Sequence, residues 1–130
     1  MDRILFKDLV KQYEFLKEKI DLAILDALAG GQYIGGRQVD ELEAILSEYV
    51  GTKYCVSCGN GTDALQLVLM AYGIGPGDAV FVPDFTFFAT GEIIPSVGAT
   101  PVFVDVDADT FNMDPSSLEA AIKHIIDEGD

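Results

Sequence analysis

The sequence of 130 residues has no tryptophan, one histidine and two cysteines. A tetrahedral zinc site takes four ligands, and only His124 is available to join the cysteines, so the composition argues against a metal site. Cys55 and Cys58 would lie about 10 Å apart in an extended strand, beyond disulfide reach. We therefore expect neither metal nor redox chemistry, and we interpret both cysteines as small core residues.

Basic residues are also scarce, at 8 Lys and Arg against 22 Asp and Glu, which gives a net charge of −14. This balance argues against nucleic acid or an anionic membrane surface as a partner. Apolar runs such as Leu67–Tyr72 are too short to span a bilayer, and the N-terminus lacks the apolar core of a signal peptide. We expect a cytoplasmic protein without a membrane segment. With 49% hydrophobic residues, the chain has enough for one globular domain with a core.

Two amphipathic helices are predicted first. Apolar residues at helical spacing predict a helix over Val10–Ala29, which Gly30 and Gly31 end. A glycine-containing loop follows, and a second helix is predicted over Val39–Tyr49.

After Gly51 the pattern changes to strands alternating with helices, which predicts an α/β layered fold with parallel strands. We expect strands at Tyr54–Ser57, Ala79–Val82 and Pro101–Val104. The helices are predicted at Thr62–Tyr72, Phe85–Val97 and Pro115–Ile126. Pro95 should bend or end the second of these early, and Pro115 suits the first helical position after an Asp114 cap.

A glycine-rich turn, Cys58–Asp63, joins the first strand to its helix and predicts an anion site. A helix start has unpaired N–H groups and a positive dipole end, and Gly59 and Gly61 allow close approach to the backbone. Thr62 adds a hydroxyl donor. These features suit a phosphate group.

Aromatic residues follow the second strand at the same predicted edge of the sheet. Ligands of parallel sheets bind beyond the carboxyl ends of the strands. We expect the run Phe85–Phe88 to meet the phosphate turn there, as suits a flat ring tied by a phosphate. At least one of these phenylalanines should instead fill the core, because adjacent helical residues cannot all face a ligand.

With these residues in place, the chain resembles the DegT/DnrJ/EryC1/StrS family of sugar aminotransferases, pyridoxal 5'-phosphate (PLP) enzymes of the aspartate-aminotransferase fold. The resemblance runs from about Phe6 to Glu128, and its specificity comes from the order and spacing of several short motifs. They are Gly31–Gly36, Asn60–Leu65, Gly73–Asp78, Val82–Thr90, Gly98–Asp105 and Asp109–Thr110.

The resemblance implies an α/β, fold type I PLP-transferase large domain. Residues 1–51 would form an N-terminal helical segment, and residues 52–130 the first part of the PLP-binding domain. It also implies site residues. Gly61, Thr62 and Asp63 match the family's phosphate cradle, and Phe87 matches the aromatic that stacks on the pyridine ring. Tyr33 resembles a residue placed near an active site, often that of the partner subunit.

No catalytic residue is identified between Met1 and Asp130. In the family, the Schiff-base lysine and the acid that pairs with the pyridine nitrogen lie further along the sequence, so we expect both beyond Asp130. The lysines present here lie in or next to helices away from the turn, apart from Lys53, which begins the first strand at the wrong end of the sheet. A PLP enzyme needs such a lysine. We therefore expect an N-terminal fragment that is inactive alone.

For the intact protein, the resemblance implies transfer of an amino group, with glutamate as donor, to a keto group of a nucleotide-linked sugar. The residues of these motifs are most similar to those of members acting on UDP-linked 3-keto sugars, including uronic acids. Members acting on 4-keto sugars have similar motif residues too. The resemblance also implies a homodimer with shared active sites.

Two alternatives stay open. Gly59, Gly61 and Ala64 fit a relaxed dinucleotide-binding fingerprint, with Asp84 about where a ribose-binding acid belongs. However, about 50 residues of helix before the first strand are unusual for that fold. Alternatively, the chain belongs to a non-catalytic binding or regulatory protein that keeps the PLP fold.

Overall fold

The computed structural model describes residues 5–128, and its residues fall into two compact units. The first unit extends to Ser57 and the second begins at Cys58. Asp130, beyond which we expect the Schiff-base lysine and the acid paired with the pyridine nitrogen, lies outside the described residues. The position of those two catalytic groups therefore stays a prediction.

The first unit contains two helices, α1 at Leu9–Gly30 and α2 at Arg37–Val50. Both were predicted, and each is longer than expected by one to two residues at either end. The Asp8 side chain caps α1 by accepting the Lys11 N–H at 2.9 Å. Glycines in the left-handed conformation end the two helices, as is common at a helix C-terminus.

The second unit alternates helices with strands. Its elements are α3 at Gly61–Ala71, β1 at Ala79–Pro83, α4 at Phe88–Ser96, β2 at Thr100–Val104 and α5 at Pro115–Glu128. The two strands pair in parallel, from Ala79 opposite Thr100 to Pro83 opposite Val104. The crossover between them is α4, and this arrangement confirms the α/β prediction.

The Asp114 cap on α5 is also confirmed. Its carboxylate accepts the Ser116 N–H at 2.9 Å and the Ser117 hydroxyl at 3.0 Å, while its carbonyl accepts the Leu118 N–H at 2.9 Å.

The strand predicted at Tyr54–Ser57 does not form in the described part of the chain. A strand needs a neighbour to accept and donate its backbone hydrogen bonds, and here the Ser57 N–H turns to a side chain instead. One carboxylate oxygen of Glu43, on α2, accepts the Ser57 N–H at 2.7 Å and the Ser57 hydroxyl at 2.8 Å. The two donors, with the backbone N–H contributing most, lower the pKa of Glu43.

The helix predicted from Phe85 begins three residues later, at Phe88, and ends one residue after Pro95. Its cap residue, Phe87, has extended backbone angles (φ −72°, ψ 143°), so the chain from Asp84 to Phe87 forms a loop. The Asp84 N–H donates to the carbonyl of Val104 at 2.9 Å, which continues the strand pairing by one residue. The loop therefore leaves the carboxyl end of β1 directly.

The core of the second unit lies between α4 and the sheet. Its buried residues are Val82, Ala89, Ile93, Ile94, Ala99 and Val104. Ile94 is the one large side chain with no exposed surface among the described residues.

Two predictions about the core are wrong. Phe85, Phe87 and Phe88 are 66%, 78% and 78% exposed, so none fills the core. Phe85 and Phe87 lie in the loop after β1, and Phe88 is the first residue of α4. Cys58 is exposed too, since it lies in the turn rather than in a strand, whereas Cys55 is half-buried. Both thiols are free.

Within residues 5–128, every helix is too short or too polar to cross a lipid bilayer.

Replacing Ile94 with alanine should lower the free energy of unfolding by about 2–5 kcal/mol, the usual effect of truncating a fully buried aliphatic side chain. Urea denaturation measures the loss. Ile126, in the same unit and 74% exposed, provides the matched control, and Ile126→Ala should change stability by less than about 0.5 kcal/mol. Equal effects of the two substitutions would contradict this description of the core.

Glu43 should make stability depend on pH in the acid range. Because its pKa is lower in the folded protein than its ordinary value of 4.5, its contribution is complete above pH 4.5 and is lost as pH falls through the folded pKa. Glu43→Gln should flatten the stability curve in this window. Glu48→Gln removes the same charge from α2 without removing the bonds to Ser57, and is the matched control for the loss of charge. Identical curves for the two variants would show that the bonds to Ser57 contribute nothing.

Candidate functional site

The turn before α3 is held by a reciprocal pair of side-chain hydrogen bonds. Asn60 is the N-cap in extended conformation, and its side-chain oxygen Oδ1 accepts the Asp63 N–H at 2.9 Å. The Asn60 amide donates in return to the Asp63 carboxylate at 3.0 Å. The cap fixes the direction in which the helix begins, and Asp63 places a negative charge where the helix dipole favours one.

Two donors at this helix start remain open. Within the described residues, the N–H groups of Gly61 and Thr62 have no acceptor, as the geometry of a first helical turn requires. A Cβ atom at Gly61 would meet nothing within 4 Å, so the backbone faces free space there. Thr62 is half-buried and its hydroxyl makes no hydrogen bond in the described part of the chain. The three donors belong to two successive residues in the first turn of α3 and can bind the oxygens of a phosphate.

The Asp63 N–H differs from these two, because Asn60 already occupies it. Asp63 therefore contributes to the turn mainly through its carboxylate. Gly59 leaves the room for that carboxylate, since a Cβ atom at this position would come within 2.9 Å of it. A side chain at position 59 would require the Asp63 carboxylate to shift.

A cleft of about 290 Å³ flanks the helix start. It is lined by Cys58, Asp63, Gln66, Leu67 and Met70. The Cys58 thiol donates to the carbonyl of Asn60 at 3.3 Å, within the turn itself.

Phe87 lines a different cleft, of about 370 Å³ and mostly apolar, together with residues from α4 and β2. Its ring is largely exposed and available to a flat ligand. These two clefts share no residue. The sequence led us to expect the phosphate turn and Phe87 at one edge of the sheet, and a common site for them stays a prediction.

A second aromatic feature beside Phe87 was not anticipated. The rings of Phe85 and Phe111 lie 5.4 Å apart between centroids, tilted by 39°. Phe111 is the only described residue other than glycine with positive φ, at 58°. Holding a bulky residue in this region costs roughly 1–3 kcal/mol, and it persists only where surrounding bonds impose it.

Those bonds come from Asp107. One oxygen of its carboxylate accepts the N–H of Thr110 at 2.8 Å, the Thr110 hydroxyl at 2.9 Å and the N–H of Asp109 at 3.2 Å. These bonds, led by the Thr110 N–H, lower the pKa of Asp107. The carbonyl of Asp107 accepts the N–H of Phe111 at 2.8 Å.

Tyr33 lies in the first unit, in the loop between α1 and α2, and is exposed. Its hydroxyl donates to the carbonyl of Leu28 at 3.2 Å. Its place near an active site stays a prediction.

Sequence reasoning missed the hydrogen bonds of Glu43 and Asp107 and the backbone conformation of Phe111. Glu43 and Ser57 are fourteen residues apart, so no local pattern links them. The Asp107 turn had a detectable signal, because an aspartate followed by Thr110 is typical of a side chain that caps its own loop. Across residues 5–128, no group of three or more histidine, cysteine or acidic side chains is arranged to hold a metal ion.

Residues 14–125 match the DegT/DnrJ/EryC1/StrS aminotransferase family. The chain is 56% identical over 117 residues to the UDP-2-acetamido-2-deoxy-3-oxo-D-glucuronate aminotransferase of Pseudomonas aeruginosa. That alignment covers 90% of this chain and 33% of the relative. The chain thus spans about a third of the length of the curated relatives it matches.

Solved structures agree. A DegT DnrJ EryC1 StrS aminotransferase from Brucella abortus superposes with a TM-score of 0.92 at 51% identity, covering 98% of this chain and 34% of that one. NtdA from Bacillus subtilis, solved with bound cofactor PMP, superposes with a TM-score of 0.77 at 34% identity, covering 80% of this chain and 24% of that one. The fold is therefore part of a fold type I aminotransferase domain, as expected, and this replaces the dinucleotide-binding alternative. The chain belongs to the DegT/DnrJ/EryC1/StrS aminotransferase family.

Proposed function

We propose that this chain supplies the phosphate-binding part of a PLP-dependent aminotransferase that acts on a nucleotide-linked keto sugar. The observation that carries the proposal is the pair of open N–H groups at Gly61 and Thr62, at the start of α3, in a chain of this family. The relative from Pseudomonas aeruginosa supports a UDP-linked 3-oxo sugar acid as the substrate class. Glutamate is the proposed amino donor.

The residues of the turn fit the cofactor phosphate. The open N–H groups and the Thr62 hydroxyl would donate to its oxygens, and the positive end of the α3 dipole would favour its charge. Local donors matter here because the chain as a whole is strongly acidic and repels anions at long range. The Asn60 amide donates a hydrogen bond to the Asp63 carboxylate and so holds that negative charge within the cap.

Phe87 would lie against the face of the pyridine ring. Bound PLP supplies an electron sink that stabilises negative charge next to the amino nitrogen. The part of Phe87 would be to orient the ring and to keep water from one of its faces, which its exposed side chain allows.

We propose no catalytic residue in this chain, and the amine-bearing lysine is expected beyond Asp130, in the part of the family that this chain does not span. A homodimer that places Tyr33 near the partner's active site is part of the same proposal.

The non-catalytic alternative predicts PLP binding without reaction. The proposed aminotransferase predicts instead that L-glutamate changes the visible absorption of the PLP-loaded full-length protein. An unchanged spectrum in a protein that binds PLP would favour the non-catalytic alternative.

Thr62→Val should weaken PLP binding by roughly tenfold, the effect of losing one hydroxyl bond to a charged oxygen. Quenching of protein fluorescence on titration measures the dissociation constant. Inorganic phosphate should compete with PLP in the wild type and compete less well in the variant, because the phosphate group is what Thr62 contacts.

Thr100→Val is the matched control. Thr100 is exposed at the start of β2, whereas the loop that carries Phe87 follows the end of β1, and the substitution should leave PLP affinity unchanged. Equal affinities of the wild type and Thr62→Val would remove Thr62 from the site.

A further inference from the structure

We infer that Phe111 is a positioning residue for the ring platform: its ring fixes Phe85, and through Phe85 it sets the loop 84–87 that presents Phe87. This role rests on the proposed function, because it concerns the surface on which Phe87 would receive the cofactor ring.

Burial does not explain why Phe111 adopts its unusual conformation. The side chain is 59% exposed and that of Phe85 is 66% exposed, so their contact contributes little to the core. A glycine or asparagine would occupy a backbone with φ of 58° at less cost. Neither burial nor backbone preference accounts for a phenylalanine at position 111, which leaves the contact of its ring with Phe85 as the reason for it.

The loop around Asp107 imposes this conformation. The Asp107 carboxylate gathers the N–H and hydroxyl of Thr110, and its carbonyl accepts the Phe111 N–H. In addition, the Asp107 N–H donates to the carbonyl of Asn112 at 2.9 Å. The backbone on both sides of Phe111 is thus fixed, and with it the direction in which the side chain leaves the backbone.

Phe111 contacts the loop 84–87 at Phe85, the residue of this loop that the described hydrogen bonds leave unrestrained. The hydroxyls of Thr86 and Thr90 share a hydrogen bond of 3.1 Å, and the Thr90 N–H donates to the carbonyl of Phe87 at 3.0 Å. These bonds attach the later part of the loop to α4. Phe85 has no such bond among the described residues, and Phe111 is the ring against which it packs.

The test uses the full-length protein that carries this chain, with PLP as the probe. Phe111→Leu removes the aromatic face and should raise the PLP dissociation constant about fivefold, the range expected for one aromatic pair. The visible circular dichroism of bound PLP should weaken as well, because it reports how the ring is held. Phe111→Tyr keeps the aromatic face and should restore both properties.

Two further substitutions separate positioning from stability. Phe111→Gly should unfold at a higher urea concentration than Phe111→Ala, since glycine accepts the positive φ, yet both should bind PLP as weakly as Phe111→Leu. A purely structural role would make affinity follow stability. Phe15→Leu, an equivalent change on the exposed surface of α1, is the matched control and should alter neither property.

Wild-type affinity and dichroism in Phe111→Leu would overturn this role and leave the proposed function standing. Failure of the wild-type protein to bind PLP would overturn both. If the tyrosine variant binds as weakly as the leucine variant, the aromatic contact is not the cause and the inference is wrong.

Discussion

The parallel pairing of β1 with β2 is the interaction on which the second unit depends. Because the strands run in the same direction, the chain must cross over between them, and α4 makes that crossing. The crossing buries Ile94 and its neighbours against the sheet. It also brings the loops that follow the two strands to one edge, which is why Phe85 and Phe111 meet although they are far apart in sequence.

Much of this organisation was readable from the sequence, because helices are encoded by residues close to one another. The apolar spacing of α1, α2, α3 and α5 predicted their bounds to within one or two residues. The Asp114 cap was readable for the same reason, since a cap and the N–H groups that it accepts are neighbours.

The failures arise where structure depends on distant partners. The segment Tyr54–Ser57 has the composition of a strand, but composition provides no neighbour, and its last N–H bonds to Glu43 instead. Phe85–Phe87 were predicted as the start of a helix, whereas the end of β1 determines where α4 can begin, at Phe88. The positive φ of Phe111 had no signal in its residue type, because phenylalanine disfavours that conformation. In the candidate site, the turn and its donors were predicted, and the bonds that orient them were not.

The reciprocal bonds between Asn60 and Asp63 also bear on the kinetics of ligand exchange. A turn held by its own side chains does not have to be ordered by the anion that it receives, so binding carries little entropic penalty for that segment. Association at such a preformed site is expected to vary little among related ligands. Differences in affinity would then appear chiefly as differences in residence time.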